Sequence, residues 1–260
     1  MNGGMIGVFD SGVGGLGILV EIRRLLPQAD LVYVADQAAA PYGQRSLDEV
    51  ADRSRRMVVW LKEQGCQVIT IACNTASAAA LHRLRDDFAD LTFVGMEPAL
   101  KPASTATKTG RVGVVATAAT FQGELFASVV DRFGRGVEVR TAACPTWVDL
   151  VEAGVTDHRA EDAVRACLGP LVEAGIDVLV LACTHYPALE DVIRAVLGPD
   201  VTLIDPGPAV ARQTARMARE TGNDDGRGRI WLHSTGDAEA LASAAQRLGI
   251  EAEPAVLAWR

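Results

Sequence analysis

Two segments of this sequence each occur twice, and this repetition constrains the fold more than any other feature. The first pair consists of Val68-Ile-Thr-Ile-Ala-Cys73-Asn-Thr75 and Val178-Leu-Val-Leu-Ala-Cys183-Thr184. The second pair consists of Ile6-Gly-Val-Phe-Asp-Ser11 and Val112-Gly-Val-Val-Ala-Thr117, at nearly the same offset along the chain. Duplication of one structural unit is the simplest origin of such a pattern. We therefore expect two similar units in the folded chain.

Short apolar runs alternate with longer amphipathic segments along most of the chain. This alternation is typical of parallel strands joined by crossover helices, so the predicted fold class is α/β with two parallel-sheet domains. The predicted strands are Ile6–Phe9, Leu31–Ala35, Val68–Ala72, Thr92–Gly95, Val112–Ala116, Val137–Thr141, Val178–Ala182 and Val201–Ile204. The clearest predicted helix is Ser46–Gln64, with Ser46 as its N-cap, Glu49 three residues later and Gly65 closing it.

Two proline-containing connections separate the predicted units. The polar segment Glu97–Gly110 is the first connection, and Pro206-Gly-Pro208 marks the second. We expect residues 1–97 and about 208–260 to form one α/β domain, and residues 98–207 to form the other. A ligand is then expected between the domains, outside the C-terminal ends of the strands.

Charge and composition limit the partners of the chain. The 25 Lys and Arg residues against 33 Asp and Glu residues give a net charge of −8, and no basic run is present. This balance argues against nucleic acid and anionic membranes as partners. The apolar runs are strand-sized and the N-terminal segment lacks the pattern of a signal peptide, so we expect no membrane span.

The cysteines predict a reduced, cytoplasmic chain. They are five in number and widely spaced, without a CxxC pair, which argues against a disulfide scaffold and against a zinc site. Cys66, Cys144 and Cys167 lack any further motif and are expected to be structural.

Cys73 and Cys183 occupy equivalent places in the repeat, each directly after an apolar strand and before a predicted helix. The N–H groups at a helix start favour the thiolate form of a cysteine. An isolated cysteine is most often a small buried hydrophobe, but two at equivalent positions favour a chemical role. Two thiols that face each other could remove a proton from one face of a carbon and deliver one to the other. Such a pair inverts a stereocentre.

The turn after the first strand formally matches a dinucleotide-binding pattern. Gly12-Val-Gly14-Gly-Leu-Gly17 fits GxGxxG, and Asp36 follows where a ribose-binding acid would lie. However, Asp10 would place a carboxylate against the pyrophosphate, and the duplicate turn at Thr117 lacks the glycines. The same turn could instead hold the carboxylate of a small substrate, with Asp10 meeting an ammonium group.

Three further residues have local contexts that suggest chemistry. Gly43, in Pro41-Tyr42-Gly43, allows close approach to a ligand, although such a sequence is often only a turn. Glu152 could be a solvated helix acid or a proton carrier, and the sequence leaves both open. His185 follows Cys183 closely and could support proton transfer, whereas a metal site there lacks further ligands.

Six motifs together resemble the glutamate racemase family. They are Asp10-Ser-Gly-Val-Gly-Gly, Tyr33-Val-Ala-Asp36, Pro41-Tyr-Gly43, Ala72-Cys-Asn-Thr-Ala76, Ala143-Cys-Pro145 with Glu152, and Ala182-Cys-Thr-His-Tyr-Pro187. The resemblance implies an enzyme without cofactor or metal that interconverts L- and D-glutamate and supplies D-glutamate for peptidoglycan. The motifs also lack a lysine, which argues against pyridoxal phosphate.

The resemblance also implies the roles of individual residues. Cys73 is expected to act on the D isomer and Cys183 on the L isomer, with support from Asp10, Glu152 and His185. The implied substrate-binding residues are Asp10, Ser11, Tyr42, Gly43, Asn74, Thr75, Thr117, Thr120, Thr184 and His185. The segment containing Thr117 and Thr120 departs from the family pattern, since Ala119 stands where a glycine is expected. The implied partners are the small molecule glutamate and a second copy of the chain in a homodimer.

Other functions are compatible with parts of this pattern. An aspartate or other amino-acid racemase of the same superfamily would share both thiols, although His185 favours the glutamate branch. Arylmalonate decarboxylases keep one of the two thiols, so the presence of both Cys73 and Cys183 argues against them. A duplicated module that binds an amino acid without chemistry is the alternative from a different class.

Overall fold

The structure is a computed structural model that describes residues 4–155 and 157–257. The chain divides into two compact units, one formed by Met1–Met96 with Gly207–Arg260 and the other by Glu97–Pro206.

The first unit is built around a six-stranded parallel sheet. Its elements are β1 Met5–Asp10, α1 Leu16–Leu25, β2 Leu31–Ala35, α2 Leu47–Glu63, β3 Cys66–Ile71, α3 Asn74–Asp87, β4 Thr92–Gly95, α10 Gly207–Glu220, β9 Ile230–Ser234, α11 Ala238–Arg247 and β10 Pro254–Val256. The strand order is β10-β9-β2-β1-β3-β4. Separate clusters of buried apolar side chains cover the two faces of this sheet, including Ile6 and Val8 on one face and Phe9 and Ile71 on the other.

The second unit contains a four-stranded parallel sheet. Its elements are α4 Leu100–Ala106, β5 Arg111–Ala116, α5 Ala118–Gln122, α6 Glu124–Phe133, β6 Glu138–Ala143, α7 Thr146–Glu152, α8 His158–Glu173, β7 Val178–Ala182, α9 Glu190–Leu197 and β8 Thr202–Ile204. The strand order is β6-β5-β7-β8. All five residues of β7 are buried, as expected of a strand with helices on both faces.

The two sheets share the same internal topology. The order β2-β1-β3-β4 in the first unit corresponds to β6-β5-β7-β8 in the second. The repeated sequence segments occupy matching strands, since β1 corresponds to β5 and β3 to β7. The predicted fold class of two parallel-sheet α/β domains is therefore confirmed.

Local sequence signals locate most elements well. Ser46 accepts a hydrogen bond from the backbone N–H of Glu49 at 3.2 Å and caps α2. Gly65 follows this helix with a φ of +90°, a conformation that favours glycine. β9 and β10 add to the edge of the first sheet beside β2 and were not predicted from the sequence. These strands are short and half-exposed, so they lack the continuous apolar runs by which the central strands were found.

The expectation of a fully reduced chain is wrong in the second unit, where Cys144 and Cys167 form a disulfide with a Cα–Cα distance of 6.0 Å. Cys144 follows β6 and Cys167 lies on α8, which packs beside that strand. Because this proximity depends on helix packing, the spacing of the two cysteines did not reveal it. Cys66, Cys73 and Cys183 remain thiols.

Within the described part of the chain, the helices are too short or too polar to cross a membrane.

Candidate active site

Cys73 lies at the junction of β3 and α3, where it is the N-cap of the helix. Its sulfur accepts a hydrogen bond from the backbone N–H of Ala76 at 3.4 Å. The hydroxyl of Ser11 lies 3.8 Å from the same sulfur. The helix start thus directs partial positive charge at the thiol, an environment that stabilises a thiolate.

Asn74 is buried beside this thiol. Neither its side-chain nitrogen nor its side-chain oxygen has a hydrogen-bond partner among the described residues. Leaving a buried polar group unsatisfied costs about 1–3 kcal/mol, so native proteins rarely do so without a ligand or water. The Asn74 amide is therefore well suited to bind a polar ligand next to Cys73.

The turn after β1 lies at the same edge of the sheet as Cys73. β1 and β3 are neighbours with Phe9 opposite Ile71. Asp10, the last residue of β1, and Ser11 therefore lie at the same sheet edge as Ala72 and Cys73, which follow β3. Asp10 is buried, and its carboxylate accepts hydrogen bonds from the Gly12 N–H at 2.9 Å and the Ser11 hydroxyl at 3.2 Å. An N–H group of the glycine-rich turn is thus already bonded to a carboxylate, which disfavours a pyrophosphate there.

Gly15 makes this close packing possible. A Cβ atom at this position would lie 2.8 Å from the Cβ of Asp10 and 3.0 Å from the Tyr33 hydroxyl oxygen. That hydroxyl donates a hydrogen bond to the Gly12 carbonyl at 2.7 Å and holds the turn. The glycine is therefore required by the approach of Asp10 and Tyr33 rather than by its backbone conformation.

Tyr42 is buried, and its hydroxyl forms a hydrogen bond to another side chain of the protein. It donates to the carboxylate of Asp36 at 2.6 Å, which also accepts two hydrogen bonds from Arg53 and one from the Thr235 hydroxyl. The side chain of Tyr42 is thus a structural anchor, and the backbone around Gly43 is the part of this turn that could meet a substrate.

Burial of Asp36 alone would raise the pKa of its carboxyl group. The hydrogen bonds from Arg53, Thr235 and Tyr42, with the charge of Arg53, outweigh that cost and hold the pKa below its ordinary value. The same carboxylate, after the desolvation of the phenol, raises the pKa of Tyr42 far above its usual range. Asp36 is therefore ionised and Tyr42 is neutral at physiological pH.

Cys183 follows β7 in the second unit, with a different continuation from that of Cys73. A 3₁₀ turn, Tyr186–Leu189, intervenes before α9 begins at Glu190. The expectation that a helix starts directly after this cysteine is therefore wrong, because the Thr-His-Tyr-Pro sequence forms a tight turn first. A histidine takes the place of helix N–H groups, since Nδ1 of His185 lies 3.9 Å from the Cys183 sulfur.

His185 is held by Glu152 at the end of α7. The buried Nε2 atom of His185 lies 2.6 Å from Oε1 of Glu152. An ionised carboxylate only accepts hydrogen bonds, so Nε2 is the donor to Glu152, and Nδ1 is the ring nitrogen that faces the Cys183 sulfur. The arrangement places an imidazole beside the Cys183 sulfur and a carboxylate on the far side of that imidazole.

Thr117 and Thr120 lie at the same edge of the second sheet as Cys183. Ala116 is opposite Ala182 in the register of β5 and β7, so Thr117 and Cys183 follow neighbouring strands. Thr117 accepts the N–H of Thr120 at 3.4 Å, and their hydroxyl oxygens lie 2.9 Å apart. The equivalent edge of the first sheet carries Thr75, which is buried in the first turn of α3.

Each unit therefore gathers one thiol with hydroxyl and acid groups at the C-terminal edge of its own sheet. The first unit assembles Asp10, Ser11, Cys73, Asn74 and Thr75, and the second assembles Thr117, Thr120, Glu152, Cys183, Thr184 and His185. Among the residues that the structure describes, no group of three or more His, Cys, Asp or Glu side chains is arranged to hold a metal ion.

Comparisons with known proteins agree with this chemistry. Residues 17–214 match the family model described as Asp/Glu/hydantoin racemase. A glutamate racemase from Roseiflexus sp. (strain RS-1) is 44% identical over 250 residues, which cover 94% of this chain and 92% of the relative. The chain belongs to the glutamate racemase family.

Solved structures of the family have the same fold. The crystal structure of glutamate racemase isoform RacE1 from Bacillus anthracis matches with a TM-score of 0.90 and 33% identity, covering 99% of this chain and 98% of that one. The Escherichia coli glutamate racemase, crystallised with L-glutamate and the activator UDP-MurNAc-ala, matches with a TM-score of 0.87 and 33% identity, covering 98% of each chain.

Two sets of contacts around the family motifs were not found from the sequence. Asp36 was noted as part of a motif, but its ion pair with Arg53 and its bond to Thr235 join segments far apart in the chain. The Tyr186 hydroxyl donates to the Cys144 carbonyl at 2.9 Å, linking the turn after Cys183 to the start of α7. The motif Tyr33-Val-Ala-Asp36 was the signal in the sequence for the first set.

Proposed function

We propose that this protein interconverts L- and D-glutamate without a cofactor, with Cys73 and Cys183 as the two acid/base groups. The observation that carries the proposal is the equivalent placement of these thiols, each at the C-terminal end of a corresponding strand in a duplicated unit. A single nucleophilic cysteine would not require this symmetry. Racemisation requires two proton-transfer groups that act on opposite faces of one carbon.

The reaction moves one proton at each thiol. With L-glutamate, the Cys183 thiolate removes the α-proton and the Cys73 thiol donates a proton to the opposite face of the carbanion. The product is D-glutamate, with Cys183 protonated and Cys73 left as thiolate. With D-glutamate, Cys73 removes the proton and Cys183 donates it.

The α-proton of an amino acid is weakly acidic, so the site must stabilise negative charge as the proton leaves. The N-terminus of α3 directs N–H groups towards Cys73, and the Asn74 amide has unused hydrogen-bonding capacity. Fixed donors of this kind stabilise developing charge because they need no reorganisation during the reaction.

Two acidic groups support the thiols in this mechanism. On the Cys183 side, Nδ1 of His185 accepts the thiol proton while Glu152 stabilises the resulting positive charge. On the Cys73 side, the Asp10 carboxylate is the partner for the substrate ammonium group, and Ser11 lies beside the thiol. The other predicted binding residues, Tyr42, Gly43, Thr75, Thr117, Thr120 and Thr184, complete the proposed substrate site.

Glutamate is the proposed substrate because the relatives named above are glutamate racemases and one was crystallised with L-glutamate. Aspartate is the alternative, since the family model spans aspartate, glutamate and hydantoin racemases. The proposal includes a cytoplasmic homodimer that supplies D-glutamate for peptidoglycan synthesis.

The test is a circular-dichroism time course with fully reduced protein and no added cofactor. L-glutamate and D-glutamate are followed separately, with L- and D-aspartate in parallel reactions. The proposal predicts that both glutamate signals decay to zero and that aspartate stays unchanged. Decay of aspartate alone would overturn the substrate, and no decay of any substrate would favour the non-catalytic binding module.

Alkylation provides an independent test of the thiols. Iodoacetamide should inactivate the enzyme, and glutamate should slow the inactivation, because a thiolate in a substrate site reacts readily unless it is covered. Full activity after alkylation of Cys73 and Cys183, verified by peptide mass, would contradict the mechanism.

A further inference from the structure

The Cys144–Cys167 disulfide joins the segment between β6 and α7 to helix α8 in the second unit. Cys144 lies between β6 and α7, and Cys167 lies in the middle of α8. α7 also packs on α8 through Trp147, whose indole N–H donates to the Ala163 carbonyl at 3.3 Å. The disulfide thus fixes the N-terminal end of α7 to α8.

Residues at both ends of α7 contact the turn that follows Cys183. At its start, the Cys144 carbonyl accepts the Tyr186 hydroxyl, and Trp147 packs edge-on against the Tyr186 ring at 4.8 Å. At its end, Glu152 holds Nε2 of His185 at 2.6 Å. The position of α7 therefore sets the position of His185 relative to Cys183.

The disulfide borders a cavity of about 730 Å³. Cys144 and Cys167 both line it, together with Pro145, Leu150 and Arg159. Cys144 is buried and Cys167 is half-buried. The cavity volume lies within the range of sites that hold small organic molecules, and a small thiol in this cavity would lie against Cys167, the less buried of the two cysteines.

We propose that Cys144 and Cys167 form a reversible redox site whose disulfide state positions Glu152 and His185 for proton transfer with Cys183. Disulfides in reducing compartments are usually transient and redox-sensing, which agrees with a pair that borders an open cavity. The effect on turnover and the reducing compartment assumed here both rest on the proposed function, whereas the thiol count described below does not.

Glutathione is the reductant in this thiol–disulfide exchange, and glutathione disulfide is the oxidant. In reduction, a glutathione thiolate attacks Sγ of Cys167, the more exposed sulfur, and Cys144 leaves as a thiolate that takes up a proton. A second glutathione then attacks the mixed disulfide, releasing the Cys167 thiol and glutathione disulfide. Oxidation is the reverse, with two electrons passing from the protein thiols to glutathione disulfide.

The first measurement counts thiols and does not depend on activity. The full-length protein is incubated with glutathione disulfide or with dithiothreitol, denatured, alkylated and weighed by mass spectrometry. We expect three alkylated cysteines after oxidation, namely Cys66, Cys73 and Cys183, and all five after reduction. Alkylation of all five after oxidation, or linkage of any other pair in the peptide map, would overturn the redox site.

The second measurement compares the two states as enzymes. Glutamate is present during oxidation to protect Cys73 and Cys183, and kcat and KM are then determined in both directions. Reduction should lower kcat by about five-fold or more, at the low end of typical coupling between sites, with a smaller change in KM. Equal kcat values in the two states would overturn the positioning role.

Matched variants separate positioning from general damage. Glu152→Gln should abolish the dependence of kcat on redox state, since the disulfide is proposed to act through Glu152, and Cys66→Ala should retain it. The paired variant Cys144→Ser with Cys167→Ser should behave like the reduced wild type under both conditions. A redox response that persists in Glu152→Gln would contradict the proposed route through α7.

Hydrogen exchange distinguishes failure of this proposal from failure of the proposed function. Amide exchange in residues 146–152 should be faster in the reduced protein, whether or not it turns over glutamate. If the thiol count and the exchange rates respond to redox state but glutamate is not racemised, only the proposed function fails. Unchanged exchange in residues 146–152 would overturn the positioning role.

Discussion

Nε2 of His185 lies 2.6 Å from Oε1 of Glu152, although the two residues lie on different elements of the second unit. This contact leaves Nδ1 of the ring directed at the sulfur of Cys183, at 3.9 Å. The pair places an imidazole beside the Cys183 sulfur, whereas the Cys73 sulfur accepts an N–H from the first turn of α3. The two proposed acid/base thiols are therefore supported by different physical means.

Replacing Glu152 with Gln should lower kcat by about ten- to a hundred-fold, the lower part of the range for acid/base groups. Glutamine can still accept a hydrogen bond from Nε2, but it cannot stabilise the imidazolium by its charge. Steady-state kinetics in both directions will test this. Glu161→Gln, which alters an exposed acid on α8, is the control and should leave kcat unchanged; an unaffected kcat in Glu152→Gln would contradict the role of the pair.

Asp36 should contribute strongly to the stability of the first unit. Asp36→Asn removes a buried charge that binds Arg53, Thr235 and Tyr42, and we expect a loss of about 2–4 kcal/mol in the free energy of unfolding. Tyr42→Phe removes one of these hydrogen bonds and should cost about 1–2 kcal/mol. Urea unfolding followed by circular dichroism will measure both, with Asp90→Asn at an exposed ion pair as a near-neutral control.

The contribution of Asp36 should depend on pH. Because its pKa is lower in the folded protein than in the unfolded chain, its stabilisation is complete above the unfolded pKa of about 4 and is lost as the pH falls through the folded value. The difference in stability between the wild type and Asp36→Asn should therefore shrink below about pH 4. A difference that is constant from neutral to acidic pH would show that the carboxylate charge is not the source.

Gly15→Ala should disturb the turn that carries Asp10 and Ser11. The added Cβ would lie 2.8 Å from the Cβ of Asp10 and 3.0 Å from that of Ala72, so the turn or the end of β3 must shift. Overpacking of this kind typically costs about 1–3 kcal/mol. Gly17→Ala is the matched control, because a Cβ there meets no atom within 4 Å; equal stability of the two variants would contradict the packing argument.

The sequence was sufficient to predict the central strands and the places of Cys73 and Cys183 directly after two of them. Apolar runs such as Val178–Ala182 are buried on both faces of the sheet, so their own composition identifies them as strands. The edge strands β9 and β10 lack that signal, because their places depend on pairing with β2 rather than on their own composition.

Contacts between distant segments set the limit of sequence-based prediction. Glu152 was recognised as a candidate acid, but only the folded chain brings it to His185. The Asp36–Arg53 ion pair and the Cys144–Cys167 disulfide likewise arise from helix packing against strand ends. Local periodicity predicts each helix and strand, whereas the packing of these elements determines which distant residues come into contact.

The most direct test of the two-thiol mechanism is racemisation by Cys73→Ser and by Cys183→Ser, each assayed from L-glutamate and from D-glutamate, with Cys66→Ser as the control. Serine nearly preserves shape but is a far weaker acid than cysteine, so each variant should lose turnover in both directions while the control remains active. Loss in both directions is expected because each direction uses one thiol to remove the proton and the other to return it. Unchanged racemisation by Cys73→Ser or by Cys183→Ser would contradict the mechanism.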